Sequence, residues 1–145
     1  VSALLGVCYE RTYEGEPAMK LESAALGGRD TLDLAPQIRG NVIETTCLVR
    51  EVFDQRGKHS AADLACSAEA YIARSLAQLA VEEASREGVA VIGLSGGVAH
   101  NEHITLTIRK AVEGAGLRFL VHEQVPPGDG GISLGQAIVA SNLTK

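Results

Sequence analysis

Two strand–turn–helix units in the second half of the sequence constrain the fold more than any other feature. Residues 89–94 are mostly β-branched or aliphatic, Ser95-Gly96-Gly97 follows, and a helical pattern begins near His100. After a second apolar segment at 117–121 comes Pro126-Pro127-Gly128-Asp129-Gly130-Gly131, which again opens a helical pattern. The pattern predicts strands at 89–94 and 117–121 and helices at 101–114 and 131–142. A helix N-terminus presents unpaired N–H groups and the positive end of the helix dipole, so each turn suits a phosphate. On adjacent parallel strands both turns would lie at the carboxyl end of the sheet and form one nucleotide cleft.

The literal spelling of the first turn suggests other chemistry. Gly93-Leu94-Ser95-Gly96-Gly97 matches the G-x-S-x-G nucleophile elbow of α/β-hydrolases. That fold needs an acid and then a histidine later in the chain, yet the last histidine, His122, precedes the candidate acid Asp129. No histidine–glycine oxyanion segment precedes the elbow either. A Walker A loop is excluded because no Lys-Ser or Lys-Thr follows the glycines. Gly93, Gly96 and Gly97 do not fit G-x-G-x-x-G, although Glu123 lies where a ribose-binding acid would sit in a Rossmann-like module.

Composition narrows the class further. A chain of 145 residues suits one domain, and a start on Val1 without Met suggests a piece of a larger protein. Hydrophobic residues make up 46% but aromatics only 3%, so the core must be built from Ala, Leu, Val and Ile. The net charge of −5 and the lack of a basic run argue against nucleic-acid binding, which needs clustered Lys or Arg. Cys8, Cys47 and Cys66 form no C-x-x-C pair or zinc framework and read as reduced, buried thiols. No signal peptide and no long apolar run is present, so a cytoplasmic location without a membrane span is expected.

Along the chain, residues 1–5 read as a helix tail stopped by Gly6. Pro17 suits the first turn of a helix to about Leu26, ended by Gly27-Gly28. Residues 29–40 read as irregular, with Leu32, Leu34 and Ile38 as anchors. Ile43, Cys47, Leu48, Val52 and Phe53 predict a helix at 41–55. Ser60 is a good N-cap for a long helix to about Glu87, with Leu64, Ala65, Ala68, Tyr71, Ile72, Leu76, Leu79 and Ala80 as its apolar stripe. Gly88 ends it.

Three motifs, taken in order, resemble a known family. Tyr13-Glu14-Gly15-Glu16-Pro17-Ala18, Ser95-Gly96-Gly97-Val98 with Asn101, and the stretch from Pro127 to Gln136 resemble the C-terminal end of HypF, the hydrogenase-maturation carbamoyltransferases. The resemblance covers essentially the whole chain. It implies an α/β fold: the helix-rich rear lobe of an ASKHA (actin-like/RNase H-like) nucleotide-binding domain with a small parallel sheet. The same fold serves the tRNA threonylcarbamoyl-adenosine transferases, which usually carry Pro-Gly-Gly-Pro where this chain has Glu14-Gly15-Glu16-Pro17. HypF proteins use carbamoyl phosphate and ATP to make carbamoyl-adenylate and pass the carbamoyl group to the C-terminal cysteine of HypE. The resemblance therefore implies a carbamoyltransferase, with HypE and the rest of the HypF chain as partners and the fragment inactive by itself.

It also implies roles for residues. Gly96 and Gly97, lacking Cβ atoms, let the backbone approach phosphate or adenosine; the alternative is a tight turn packing helix on strand. Asn101 contacts the nucleotide or caps the following helix. Asp129 completes a divalent-metal site with two histidines upstream of Val1, or caps the last helix. Gly15 and Glu16 border the adenosine site, with Glu14 and Lys20 beside them, or form a solvated helix start. His100 and His103 read as surface or capping residues. His122, at a strand end near Asp129, reads as a strand-end side chain or a supporting residue behind the site.

Overall fold

The computed structural model describes residues 1–143. A single helical turn at 1–5, in which Leu5 N–H bonds the Val1 carbonyl at 3.0 Å, breaks at Gly6. Then follow α1 (Glu16–Ala25), β1 (Ile38–Arg39), β2 (Val42–Ile43), α2 (Thr46–Gln55) and α3 (Ala61–Glu87). The remainder is β3 (Val91–Gly93), a 3-10 turn at Gly97–His100, α4 (Glu102–Gly114), β4 (Arg118–Leu120), a 3-10 turn at Asp129–Gly131 and α5 (Ile132–Leu143). The helix-rich α/β class is as expected.

The 27-residue α3 is the spine. It starts where Ser60 Oγ accepts the Asp63 N–H at 3.1 Å and ends on left-handed Gly88. Because aromatics are scarce, the core closes by near approach of small residues. Ala73 and Ala77 pack against Ile104, Ile108 and Val112 of α4 and Phe119 of β4. Burying an aliphatic side chain such as Ile108 stabilises by roughly 1.5–3 kcal/mol. A second cluster joins Leu48 and Val52 of α2 to Ala68 and Tyr71 of α3, with Leu32 and Leu34 against it. The apolar stripe of α3 differs from expectation at Leu76, which is exposed. α4 and β4 cover the neighbouring face, so Ala73 and Ala77 are buried instead.

Irregular residues 29–37 lie along α3, and a polar row on that helix satisfies their backbone. Asp63 Oδ1 accepts from Arg29 N–H (2.9 Å), and Ser67 Oγ accepts from Thr31 and Leu32 N–H (2.9 and 3.2 Å). Tyr71 Oη accepts from Gln37 N–H (3.3 Å), and Arg74 donates to the Leu34 carbonyl (3.0 Å) while pairing with Asp30 (2.6 Å). The spacing of four, four and three residues puts all four side chains on one face.

One helix starts later than the sequence suggests. Residues 41–45 are not helical: Gly40, at φ +59°, and Asn41 turn an antiparallel hairpin in which Ile38 pairs with Ile43. Gly-Asn is a two-residue hairpin signal, and its left-handed backbone cannot continue a helix. Glu44 Oε1 then accepts the Thr46 N–H at 3.1 Å where α2 begins.

β3 and β4 pair in parallel, with Val91, Ile92 and Gly93 opposite Arg118, Phe119 and Leu120. The strands are shorter than the apolar runs that predict them. The ladder still extends at both ends through Arg118 N–H to the Ala90 carbonyl (2.9 Å) and Leu94 N–H to the Leu120 carbonyl (3.0 Å). Both glycine-bearing turns therefore leave the same end of the sheet.

Candidate functional site

The two turns are bonded to each other. Gly96 N–H donates to the Pro127 carbonyl at 2.7 Å, and Ser95 Oγ donates to the same oxygen at 3.2 Å. His122 Nε2 lies 3.0 Å from Ser95 Oγ. Around this junction is a concavity of about 510 Å³, in the size range of small-molecule sites. Its wall is apolar, including Val125, Pro126, Ile132 and Ile138, and its polar side chains are Ser95, His122 and Asp129. The second turn folds tightly enough to require glycine at 131: a Cβ there would lie 2.7 Å from the Pro126 carbonyl oxygen.

Gly96 and Asp129 share this concavity, while Gly97 is not part of its lining. The Asp129 carboxylate is exposed and makes no hydrogen bond among the described residues. It does not cap the last helix; the Ile132 N–H bonds the Asp129 backbone carbonyl instead. A carboxylate with unshared oxygens beside glycines suits a hard cation. Among the described residues, no group of three His, Cys, Asp or Glu side chains is arranged to hold a metal ion. Asp129 fits such an ion as a single contributing ligand.

Asn101 is the N-cap of α4. Its Oδ1 accepts the Ile104 N–H at 2.8 Å, and its Nδ2 donates to Glu69 Oε1 at 2.9 Å. The other Glu69 oxygen lies 3.1 Å from His103 Nδ1, whose ring Nε2 is 4.0 Å from Cys66 Sγ. Glu69 is buried, so a carboxylate deep between α3 and α4 organises the start of α4. Burial, reinforced by Asp30, Glu69 and Asp63 nearby, pushes the Cys66 thiol up and keeps it protonated. Cys66 and Cys8 are buried and Cys47 half-buried, and all three are free thiols.

Gly15 and Glu16 lie outside the concavity. Gly15 is left-handed, at φ +81°, where α1 begins. Glu16 is buried, and its oxygens accept from Thr12 N–H (2.5 Å), Thr12 Oγ1 (2.8 Å) and Lys20 Nζ (2.7 Å). The Lys20 ammonium and the two Thr12 donors hold its carboxyl down at about 2. Glu16 is thus fully occupied in shaping the 12–16 loop. α1 reaches the α4 start through Glu22 Oε1, which accepts the Glu102 N–H at 3.0 Å.

Sequence reasoning missed two parts of this arrangement. Glu69 interrupts the apolar stripe of α3 among Ala68, Ala70 and Tyr71, and an acid at such a place needs a partner when buried. The Ser95–His122 pair was hidden by chain order: His122 precedes Asp129, so the elbow spelling looked incomplete. No acid orients His122 here, and the hydrolase triad is absent among the described residues.

Comparison with known proteins identifies the class. Residues 1–136 match the family described as "Carbamoyltransferase, Kae1-like Domain, second subdomain". The probable carbamoyltransferase HypF of Methanocaldococcus jannaschii is 37% identical over 139 residues, covering 95% of this chain and 18% of that protein. The Rhodobacter capsulatus carbamoyltransferase HypF is 34% identical, covering 97% of this chain and 18% of the relative. The crystal structure of T. kodakarensis HypF superposes with a TM-score of 0.88 at 42% identity, covering 99% of this chain and 19% of that one. A full-length HypF in the phosphate- and nucleotide-bound form gives a TM-score of 0.85 at 25% identity, with 99% and 19% coverage. Fold and site thus define a lobe of an ASKHA-type nucleotide-binding domain. The chain belongs to the HypF carbamoyltransferase family, as its second Kae1-like subdomain. It spans less than a fifth of the length of each of these four relatives.

Proposed function

We propose that this chain is the rear lobe of a longer HypF carbamoyltransferase and forms one wall of the site that holds a carbamoyl-adenylate. The carrying observation is the 2.7 Å bond from Gly96 N–H to the Pro127 carbonyl, which fixes two glycine turns around one concavity at the carboxyl end of a parallel pair. Likeness to a HypF solved with phosphate and nucleotide supports the same reading. Within it, the Gly96-Gly97 turn receives the phosphate or adenosine, with Gly15 and Glu16 bordering the adenosine side. Asn101 contributes to nucleotide contact through its second Nδ2 hydrogen, since its first goes to Glu69.

Asp129 supplies one carboxylate to a divalent ion whose two histidine ligands come from another segment of the polypeptide. When bound, the ion neutralises charge on the phosphate. The acceptor is the C-terminal cysteine of HypE, and the setting is cytoplasmic; no helix among the described residues is long and apolar enough to cross a membrane. The test uses a full-length HypF polypeptide that includes these residues. With ATP and carbamoyl phosphate it should add one carbamoyl group to the HypE cysteine by intact mass, and this chain alone should add none. Transfer by the isolated chain, or none by the full-length protein, would reject the assignment.

A further inference from the structure

Ser95 and His122 form the one polar side-chain pair in a concavity whose walls are otherwise largely apolar. The Pro127 carbonyl can only accept, so with Ser95 donating to it, Ser95 Oγ accepts from a protonated His122 Nε2. A second arrangement is open to the same atoms. The Pro127 oxygen already holds the shorter 2.7 Å bond from Gly96 N–H, so the Ser95 hydrogen can turn to His122 Nε2 without stranding a carbonyl. In that state the proton sits on Nδ1, Nε2 is an acceptor, and Ser95 Oγ presents its lone pairs to the concavity.

Transfer of an activated carbamoyl group to a thiol releases a proton that must go somewhere. We propose, building on the function proposed above, that Ser95 and His122 are the proton-transfer pair for that step. The acceptor sulfur bonds to the carbamoyl carbon, the bond from that carbon to the adenylate oxygen breaks, and AMP leaves with the electron pair. The thiol proton passes to Ser95 Oγ as the Ser95 proton passes to His122 Nε2. Both residues line the concavity together with Gly96 and Asp129, which puts a base in the cavity proposed to receive the phosphate. The charged and titratable groups that share or adjoin this lining are Asp129 within it, Glu123 next to His122 in the chain, and His100, whose ring lies beside Gly128.

The experiment is single-turnover transfer from preformed carbamoyl-adenylate to an acceptor thiol, in full-length HypF polypeptide carrying His122→Gln, His122→Ala or Ser95→Ala. Nucleotide affinity is measured on the same samples. Transfer should fall about 100-fold in all three, the usual lower bound for a lost acid–base group, with nucleotide affinity held within twofold. Imidazole added to the His122→Ala protein should restore part of the rate. Transfer at the wild-type rate in His122→Gln overturns the proposal. So does a loss matched by an equal loss of nucleotide affinity and not rescued by imidazole, which would make the pair a brace between the turns. If the wild-type protein transfers nothing, the carbamoyltransferase reading fails first, and this proposal with it.

Discussion

Glu69 holds Asn101 in place: the buried carboxylate on α3 accepts the Asn101 Nδ2–H at 2.9 Å while Asn101 Oδ1 caps α4. The amide orientation is therefore fixed by chemistry at both ends. Removing the carboxylate leaves Asn101 and His103 without their shared acceptor. Glu69→Ala should lower stability by about 2–3 kcal/mol, the range for a hydrogen bond to a charged group plus stranded donors. Glu69→Gln keeps one acceptor and should cost less than half as much. Urea unfolding of both variants checks this, and equal losses would show that the ionised carboxylate with both its oxygens is required, one acceptor being worth nothing by itself.

The two glycines after α1 are required for different reasons. Gly27 is left-handed at φ +77° with open space around it, whereas a Cβ on Gly28 would lie 2.3 Å from the Ala62 carbonyl oxygen. Asn tolerates the left-handed region, so Gly27→Asn should cost under about 1 kcal/mol. Gly28→Ala pushes α1 off the N-terminus of α3 and should cost about 1–3 kcal/mol or more. Denaturant midpoints of the pair decide it; the reverse order would mean that backbone conformation, not contact, limits both.

These contrasts show what a sequence can carry. The cap at Ser60, the stop at Gly88 and the two turn-bearing strands were legible because each rests on local chemistry within a few residues. The Gly40-Asn41 hairpin signal is equally local, but the helical spacing of Ile43, Cys47 and Leu48 runs on directly from it and points to a helix across both. Glu69 with Asn101 is 32 residues apart in sequence and Ser95 with His122 is 27, and nothing local marks either pair. Glu16 illustrates the converse. Its position matched a motif, and acids at helix starts are common, but its burial against Thr12 and Lys20 appears only in three dimensions.

Glu16 gives a pH dependence of known sign. Bonding to Lys20 and Thr12 brings its carboxyl from 4.5 down to about 2 in the folded protein. The folded state therefore binds this proton less readily than the unfolded chain. The contribution is complete above pH 4.5 and is lost as pH falls towards 2. Asp63 and Glu44, also held below their usual range, weaken in the same direction. The melting temperature of the wild type should consequently fall more steeply across that window than that of Glu16→Gln. Parallel curves would mean that the Glu16 bonds persist in the unfolded chain or do not form in solution.

Asp129 lets the proposed metal role be tested apart from any structural one. Its carboxylate is exposed, unbonded among the described residues and not a helix cap. Losing a side-chain cap would cost about 0.5–2 kcal/mol. Removing an uninvolved surface carboxylate should stay within about 0.5 kcal/mol. Asp129→Ala in full-length HypF polypeptide should therefore leave the melting temperature nearly unchanged while metal content and carbamoyl transfer both fall steeply. Asp129→Glu moves the oxygens by one methylene and should recover part of the metal but less of the transfer, since in the proposed site the ion also has to meet the phosphate. Metal content by elemental analysis and melting by calorimetry are read on the same samples. Full metal occupancy in Asp129→Ala would remove Asp129 from the site. A lowered melting temperature with metal intact would return it to the backbone of the last helix, as a residue that stabilises the turn and nothing more.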